Sequence, residues 1–222
     1  MGDLGPFWLS IKVASVATLL DVALGAPLAL LLARGRFPGR SLLAGALTLP
    51  LVMPPTVLGY VLLILLGRRS LVGGGLEQVF GVSLVFHWSG GALAAGVAAF
   101  PLFLIPARSA FEDVDPMLED AARLLGRREL SVFLRVTLPL ARRGLLAGVV
   151  LVFARALGDF GATLMVAGDI PGRTQTASLA IYDAVQVGDN ARAGGLSLLI
   201  SVVSIVALMV AQRGDRSPRT AA

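Results

Sequence analysis

EDAARLLGRRELSVFLRVTLP, residues 119–139, is the longest strongly charged run in a chain otherwise rich in Leu, Ala, Val and Gly. Its meaning depends on what surrounds it. Of 222 residues, 56% are hydrophobic and only 15% charged, and a mean hydropathy of +0.82 places the chain among membrane proteins rather than soluble domains. Twenty-six glycines and twelve prolines against 6% aromatics are a small-residue bias that suits close helix packing and interrupted helices in lipid.

A helix needs about 20 apolar residues to cross the hydrocarbon layer, at about 1.5 Å each. Residues 9–33, 41–66, 90–110, 145–167 and 195–211 meet or approach that length, which predicts an all-α, polytopic fold of five spans. Segment 170–187 is the alternative sixth; Pro171, Gly172, Arg173 and Asp183 make it a re-entrant or surface stretch on the outer side. Residues 1–222 then form one transmembrane domain, with 111–144 as the only loop long enough for structure of its own. MGDLGPFWLS carries no basic n-region or small-residue cleavage site, so the first apolar run is expected to stay in the mature protein.

Thirteen of the nineteen basic residues fall on one side of these spans, among them Arg34, Arg36, Arg40, Arg108, Arg123 and the tail arginines Arg213, Arg216 and Arg219. Four, Arg68, Arg69, Arg173 and Arg192, fall on the other. The positive-inside rule then predicts an outside N-terminus, a cytoplasmic C-terminus and a cytoplasmic 119–139 block in a multi-pass membrane protein. Topology explains the pI near 10.9 better than nucleic-acid binding does, because the basic residues sit in short loops between apolar runs.

Inside the long loop, Asp115 and Pro116 signal a helix start, with the carboxylate as N-cap and proline at a position where its missing N–H costs nothing. Met117, Ala121, Leu124 and Leu125 follow at helical spacing, and Gly126 offers a C-terminal stop able to adopt positive φ. A second helical pattern, Leu130, Phe133, Leu134, Val136 and Leu138, runs until Pro139 is expected to interrupt it. The reading is helix, glycine turn, helix. Taken alone, such a segment also fits a headgroup-facing strip.

Asp120, Ala121 and Ala122, then Gly126, then Val136, Leu138 and Pro139 resemble, interval by interval, the cytoplasmic signature of ABC-importer permeases (E-A-A, three residues, G, nine residues, I, one residue, L-P). Asp stands for Glu and Val for Ile; Glu119 is adjacent and could take the family glutamate's role. The resemblance implies a type I importer architecture, and a helix pair that docks in a cleft of a separate ATPase. Asp115, Glu119, Asp120, Ala121, Ala122, Gly126, Val136, Leu138 and Pro139 are the coupling candidates. LPLVMPPTVLGYVLLILLGRRS, 49–70, and ARALGDFGATLMVAGDIPGRTQTASLAIY, 154–182, look like the corresponding stretches of molybdate-importer permeases, with related sulfate permeases sharing the scheme. That likeness implies an oxyanion substrate (molybdate or tungstate), two such permeases above two ATPases that hold ATP and Mg, and an extracytoplasmic binding protein. No cofactor is implied in this chain itself.

Within the spans, Pro50, Pro54 and Pro55 remove N–H donors and predict a break around Met53, Pro54, Pro55 and Thr56, suited to a gate. Arg155 and Asp159 are spaced i, i+4, so one face of the fourth span carries both, for structural pairing, gating or both roles together. Gly158 and Gly161 are expected to allow close helix contact there, and Thr163 to present a hydroxyl. Lys12 is expected to snorkel outward and Asp21 to find a partner on another helix. His87, Trp88 and Trp8 read as interfacial anchors.

Several activities are excluded or disfavoured. The chain has no cysteine and a single histidine, so thiolate chemistry is absent and neither a metal cluster nor an acid/base pair is legible. The only lysine, Lys12, is followed by Val13, so the chain has no P-loop and would need a separate ATPase. An ion- or proton-coupled secondary transporter is the competing transport class, although the five spans show no internal repeat.

Overall fold

The computed structural model describes residues 4–81 and 83–214, without the side chains of residues 76, 77, 79, 80 and 210–214. Arg216 and Arg219 lie outside the described residues, as does the side chain of Arg213. The elements are α1 (Gly5–Arg34), α2 (Arg40–Thr48), α3 (Pro55–Leu66), α4 (Leu71–Phe80), α5 (Trp88–Glu112), α6 (Pro116–Leu124), α7 (Glu129–Val132), α8 (Leu138–Leu157), α9 (Gly161–Ala167), α10 (Ala177–Gln186) and α11 (Asn190–Gly214). Four helices among the described residues are long and apolar enough to cross a membrane, five if the bent pair Arg40–Leu51 and Pro55–Leu66 counts as one span. Segment 170–187 yields the ten-residue α10, too short to cross.

The bundle is organised around α1, α5 and α8. In lipid there is no hydrophobic drive between helices, so close contact depends on small residues. Ala14 and Ala17 of α1 pack with Ala92 and Ala95 of α5 and with Ala156 of α8. Deeper along the same helices Phe103 is fully buried with Ala29, Leu32, Ala99 and Val152. It fits because Gly25 and Gly148 leave room: a Cβ on either would come within 2.5 and 3.0 Å of the ring.

Two helices depart from the boundaries expected of the sequence. Pro139 does not end a helix. The chain runs from Glu129 to Leu157 as one apolar helical stretch, passing through a π turn at Phe133–Thr137. Leu138 N–H there reaches back to the Phe133 carbonyl, five residues earlier. A wider turn relieves the clash between the proline ring and the preceding carbonyls and absorbs the missing donor.

Conversely, the run 145–167 is not one helix. It breaks at Gly158–Phe160, between α8 and α9. The second span breaks as predicted, with a bend of 112° between its halves. Val52 closes a short 3-10 turn at Leu49–Leu51, and Pro54 (ψ 134°) is the extended residue that starts α3.

Candidate functional site

The charged loop folds as a helix pair. Asp115 caps α6, its Oδ1 accepting from Met117 N–H at 2.9 Å. Gly126 takes φ +76°, the left-handed value that lets the chain reverse after α6. The amphipathicity of α6 is inverted for a helix lying on its own protein. Glu119 is the one residue it buries, whereas Met117, Leu124 and Leu125 are 75%, 90% and 83% exposed. Ala121 is exposed and Ala122 half-buried. In the second helix Val132 is buried and Phe133 turns in against Phe111, with ring centroids 6.4 Å apart, while Leu130 and Leu134 stay exposed.

Glu119 and Asp120, adjacent in sequence, have different surroundings. Glu119 Oε1 accepts from Arg34 Nη2 at 3.2 Å and from Thr137 Oγ1 at 2.7 Å. The same Arg34 nitrogen donates to the Val114 carbonyl at 3.0 Å. Asp120 is exposed and pairs with Arg123 on its own helix at 2.7 Å. Arg123 also reaches Glu129 across the turn at 2.8 Å, and these hydrogen bonds, Glu129 first, hold its guanidinium pKa above the ordinary value. Nearby, Glu112 at the end of α5 accepts from Arg40 and Arg108 at 3.0 and 2.9 Å. Arg34, Arg40, Arg108 and Arg123 thus gather at one end of the bundle. Nothing in the local sequence announces Arg34 or Thr137 as partners of Glu119. Arg34 stands 85 residues away, and the helical spacing of Thr137 is shifted by the π turn.

The two interrupted helices meet. A Cβ on Gly161 would lie 2.9 Å from Pro55 Cβ, and one on Gly59 would lie 2.7 Å from Met165 Cβ, so α3 and α9 cross in close contact with the proline break at one end. Met53 is half-buried beside Leu58, Leu62, Ala162 and Val166; Pro54, Pro55 and Thr56 are exposed.

Asp159 does not sit inside a span but in the break after α8. Its carboxylate, 1% exposed, accepts from Arg155 Nη1 at 3.1 Å and from both the N–H and the hydroxyl of Thr163 at 2.9 and 2.8 Å. It therefore serves the first turn of α9 as a cap. The Thr163 hydroxyl that the sequence offers is buried and bonded to this carboxylate. Gly158 meets no neighbouring helix, its nearest prospective contact being the Ala154 carbonyl of its own helix at 3.8 Å; Gly161 alone makes the close approach.

At the opposite end Lys12 Nζ lies 3.6 Å over the Trp88 ring, a cation–π contact that holds the ammonium at the bundle end. His87 caps α5 through Nδ1, which accepts from Ser89 N–H at 3.3 Å. Asp21 does not find the expected partner. It is buried against Gly96 of α5, and among the described residues its Oδ2 has no hydrogen-bond partner. No group of three metal-ligating side chains is found among the described residues.

Residues 25–216 match the model of the family described as binding-protein-dependent transport system inner membrane component. The Molybdenum transport system permease protein ModB of Escherichia coli K12 is 43% identical over 205 residues, covering 92% of this chain and 90% of that protein. ModB of Mycobacterium tuberculosis is 43% identical over 210 residues, covering 95% of this chain and 78% of that protein. The putative molybdenum transport system permease protein YvgM of Bacillus subtilis is 40% identical over 208 residues, covering 94% and 92%. Among solved structures, inward facing conformations of the MetNI methionine ABC transporter superpose with a TM-score of 0.67 at 17% identity, covering 94% of this chain and 92% of that one. At that identity the likeness concerns the fold alone.

Proposed function

The chain belongs to the binding-protein-dependent transport system inner membrane components, and from that premise we propose that it is the transmembrane subunit of an ATP-driven molybdate importer. As a transport component it supplies the path and the connector, while hydrolysis belongs to a partner. Two copies of this chain would stand above two ATPases that bind ATP and Mg, with the N-terminus outside and the C-terminus in the cytoplasm. An extracytoplasmic binding protein would capture the dilute tetrahedral dianion, because a conduit must release what it admits. The molybdenum transport named for the relatives favours molybdate; tungstate shares its charge and geometry, and sulfate is the competitor to test.

The observation that carries the coupling part of this reading is the inverted helix α6. It buries an acid and exposes Met117 and Leu124, with Leu125 exposed just after it, within a rim of arginine and carboxylate pairs. A small apolar centre with a charged rim is the composition of a protein docking surface. Asp120, Ala121, Leu124, Leu125 and the Gly126 turn form the part offered to the ATPase. Closure of the ATPases on ATP would draw the paired connectors together and move the membrane helices, the breaks at Met53–Thr56 and Gly158–Phe160 giving way as hinges. The test is molybdate accumulation in proteoliposomes holding this chain, its ATPase and the binding protein. Uptake that requires ATP, and that sulfate in excess does not suppress, is expected. Uptake driven by an ion gradient without ATP would refute the reading in favour of a secondary transporter.

A further inference from the structure

We propose that Glu119 transmits the connector's movement into the first membrane helix through its ion pair with Arg34, whereas Asp120 belongs to the surface that meets the ATPase. The inference rests on the proposed docking of α6 and adds a route inside this chain.

Three parts of the structure meet at one carboxylate, and a fourth is joined to it through Arg34. Arg34 is the basic residue in the last turn of α1. Its Nη2 donates both to Glu119 Oε1 and to the Val114 carbonyl, just after α5. Thr137, the last residue of the π turn that feeds α8, donates to the same Oε1. Glu119 itself rides on α6. A displacement of α6 therefore reaches α1 directly through Arg34 and α8 directly through Thr137, two of the three helices that form the packed centre of the bundle.

Asp120 has no partner outside α6. Arg123, on the same short helix, bonds Asp120, comes within 3.9 Å of Glu119 Oε2 and reaches α7 only at the exposed Glu129; the Asp120 side chain is 66% exposed against 10% for Glu119. Successive helical residues point about 100° apart, so one acid faces the protein while the next faces outward. The difference in surroundings matters mechanically. An exposed pair is loosened by water and salt, but a carboxylate shielded from solvent and held by two donors on different elements keeps its geometry. Beside this link lies a cavity of about 420 Å³ lined in part by Leu30, Arg34, Glu119, Phe133 and Thr137, which leaves room for α6 to move with the link intact. Arg34 Nε, buried there without a partner among the described residues, is a donor free for a second arrangement.

The experiment uses the complete complex of this chain, its ATPase and the binding protein, in proteoliposomes, with molybdate as the transported probe. Three quantities are read for each variant: ATPase retained on purification, ATP hydrolysed, and molybdate accumulated per ATP. Glu119→Gln and Arg34→Gln are expected to retain the ATPase yet lose about tenfold in molybdate per ATP, in the range of allosteric couplings. The reversal pair Arg34→Glu with Glu119→Arg recovers part of that loss. Asp120→Asn instead lowers the ATPase retained. Thr137→Val, which removes one donor and leaves the ion pair, shows a smaller loss and serves if the Glu119 variants fail to fold. Wild-type molybdate per ATP in Glu119→Gln, Arg34→Gln and Thr137→Val overturns the inference; so does loss of the ATPase from the Glu119 variant, which would make Glu119 a docking residue. Failure of the unaltered chain to retain the ATPase would overturn the docking reading instead.

Discussion

Gly161 stands so close to Pro55 that a Cβ on the glycine would lie 2.9 Å from the proline Cβ; the two interruptions in the membrane helices are therefore in contact. The proline ring cannot swing aside as a flexible side chain could. Gly161→Ala is expected to destabilise the protein by about 1–3 kcal/mol through overpacking. Gly45 in α2 has nothing within 4 Å of its prospective Cβ, so Gly45→Ala should be neutral or stabilising by up to about 1 kcal/mol from helix propensity. Thermal unfolding in detergent, followed by circular dichroism, checks both. Equal midpoints for the two variants would mean that the breaks do not touch.

Asp159 satisfies two buried donors of Thr163 besides pairing with Arg155. Removing it leaves the Thr163 N–H and hydroxyl unpaired, and Arg155 without its counter-charge, at a cost of about 3–5 kcal/mol. Asp159→Asn keeps one carbonyl acceptor and should cost less; Thr163→Val removes only one donor and should cost least, about 1 kcal/mol. The same unfolding measurement orders the three. If Asp159→Ala were as stable as the parent and only transport fell, Asp159 would be a gate without a structural role.

The helix pair was legible because its signals are local: a capping acid before proline at Asp115 and Pro116, and a glycine where the chain must turn. Spans were legible because their signal is length and composition. The break at Gly158–Phe160 was not, since the apolar run continues across it without proline. It is set by a contact with Pro55, about a hundred residues earlier, and by the Asp159 cap on Thr163. The acid in Asp159, Phe160, Gly161 is a usable helix-start cue, masked because an i, i+4 pair with Arg155 already accounts for it. Pro139 misled in the other direction, because proline within the first turn after a π bulge is tolerated where a mid-helix proline is not. The Arg34–Glu119 pair has no local signature at all.

Gly126 holds φ +76° with open space around its prospective Cβ, so backbone strain and not a clash decides what it tolerates. The left-handed conformation costs a non-glycine residue about 1–2 kcal/mol, least for Asn and most for β-branched side chains. Molybdate accumulated per ATP is expected to fall in the order Gly, Asn, Ala, Val at position 126. Indifference of transport to Gly126→Val would show that the turn need not be held for coupling.

Leu124 and Leu125 are 90% and 83% exposed at the tip of α6, where nothing among the described residues covers them. Charged replacements there should change the stability of the isolated chain by no more than about 0.5 kcal/mol, as at other exposed positions. In a complex they would instead bury a charge against a partner. Leu124→Glu with Leu125→Glu is therefore expected to abolish retention of the ATPase while leaving the unfolding midpoint in place, a separation that a fold defect cannot produce. Because the chain has no cysteine, Leu124→Cys gives a single thiol whose labelling reports directly on cover: it should be blocked by added ATPase and unaffected by anionic lipid. Protection by lipid alone would return residues 119–139 to the role of a headgroup-facing strip.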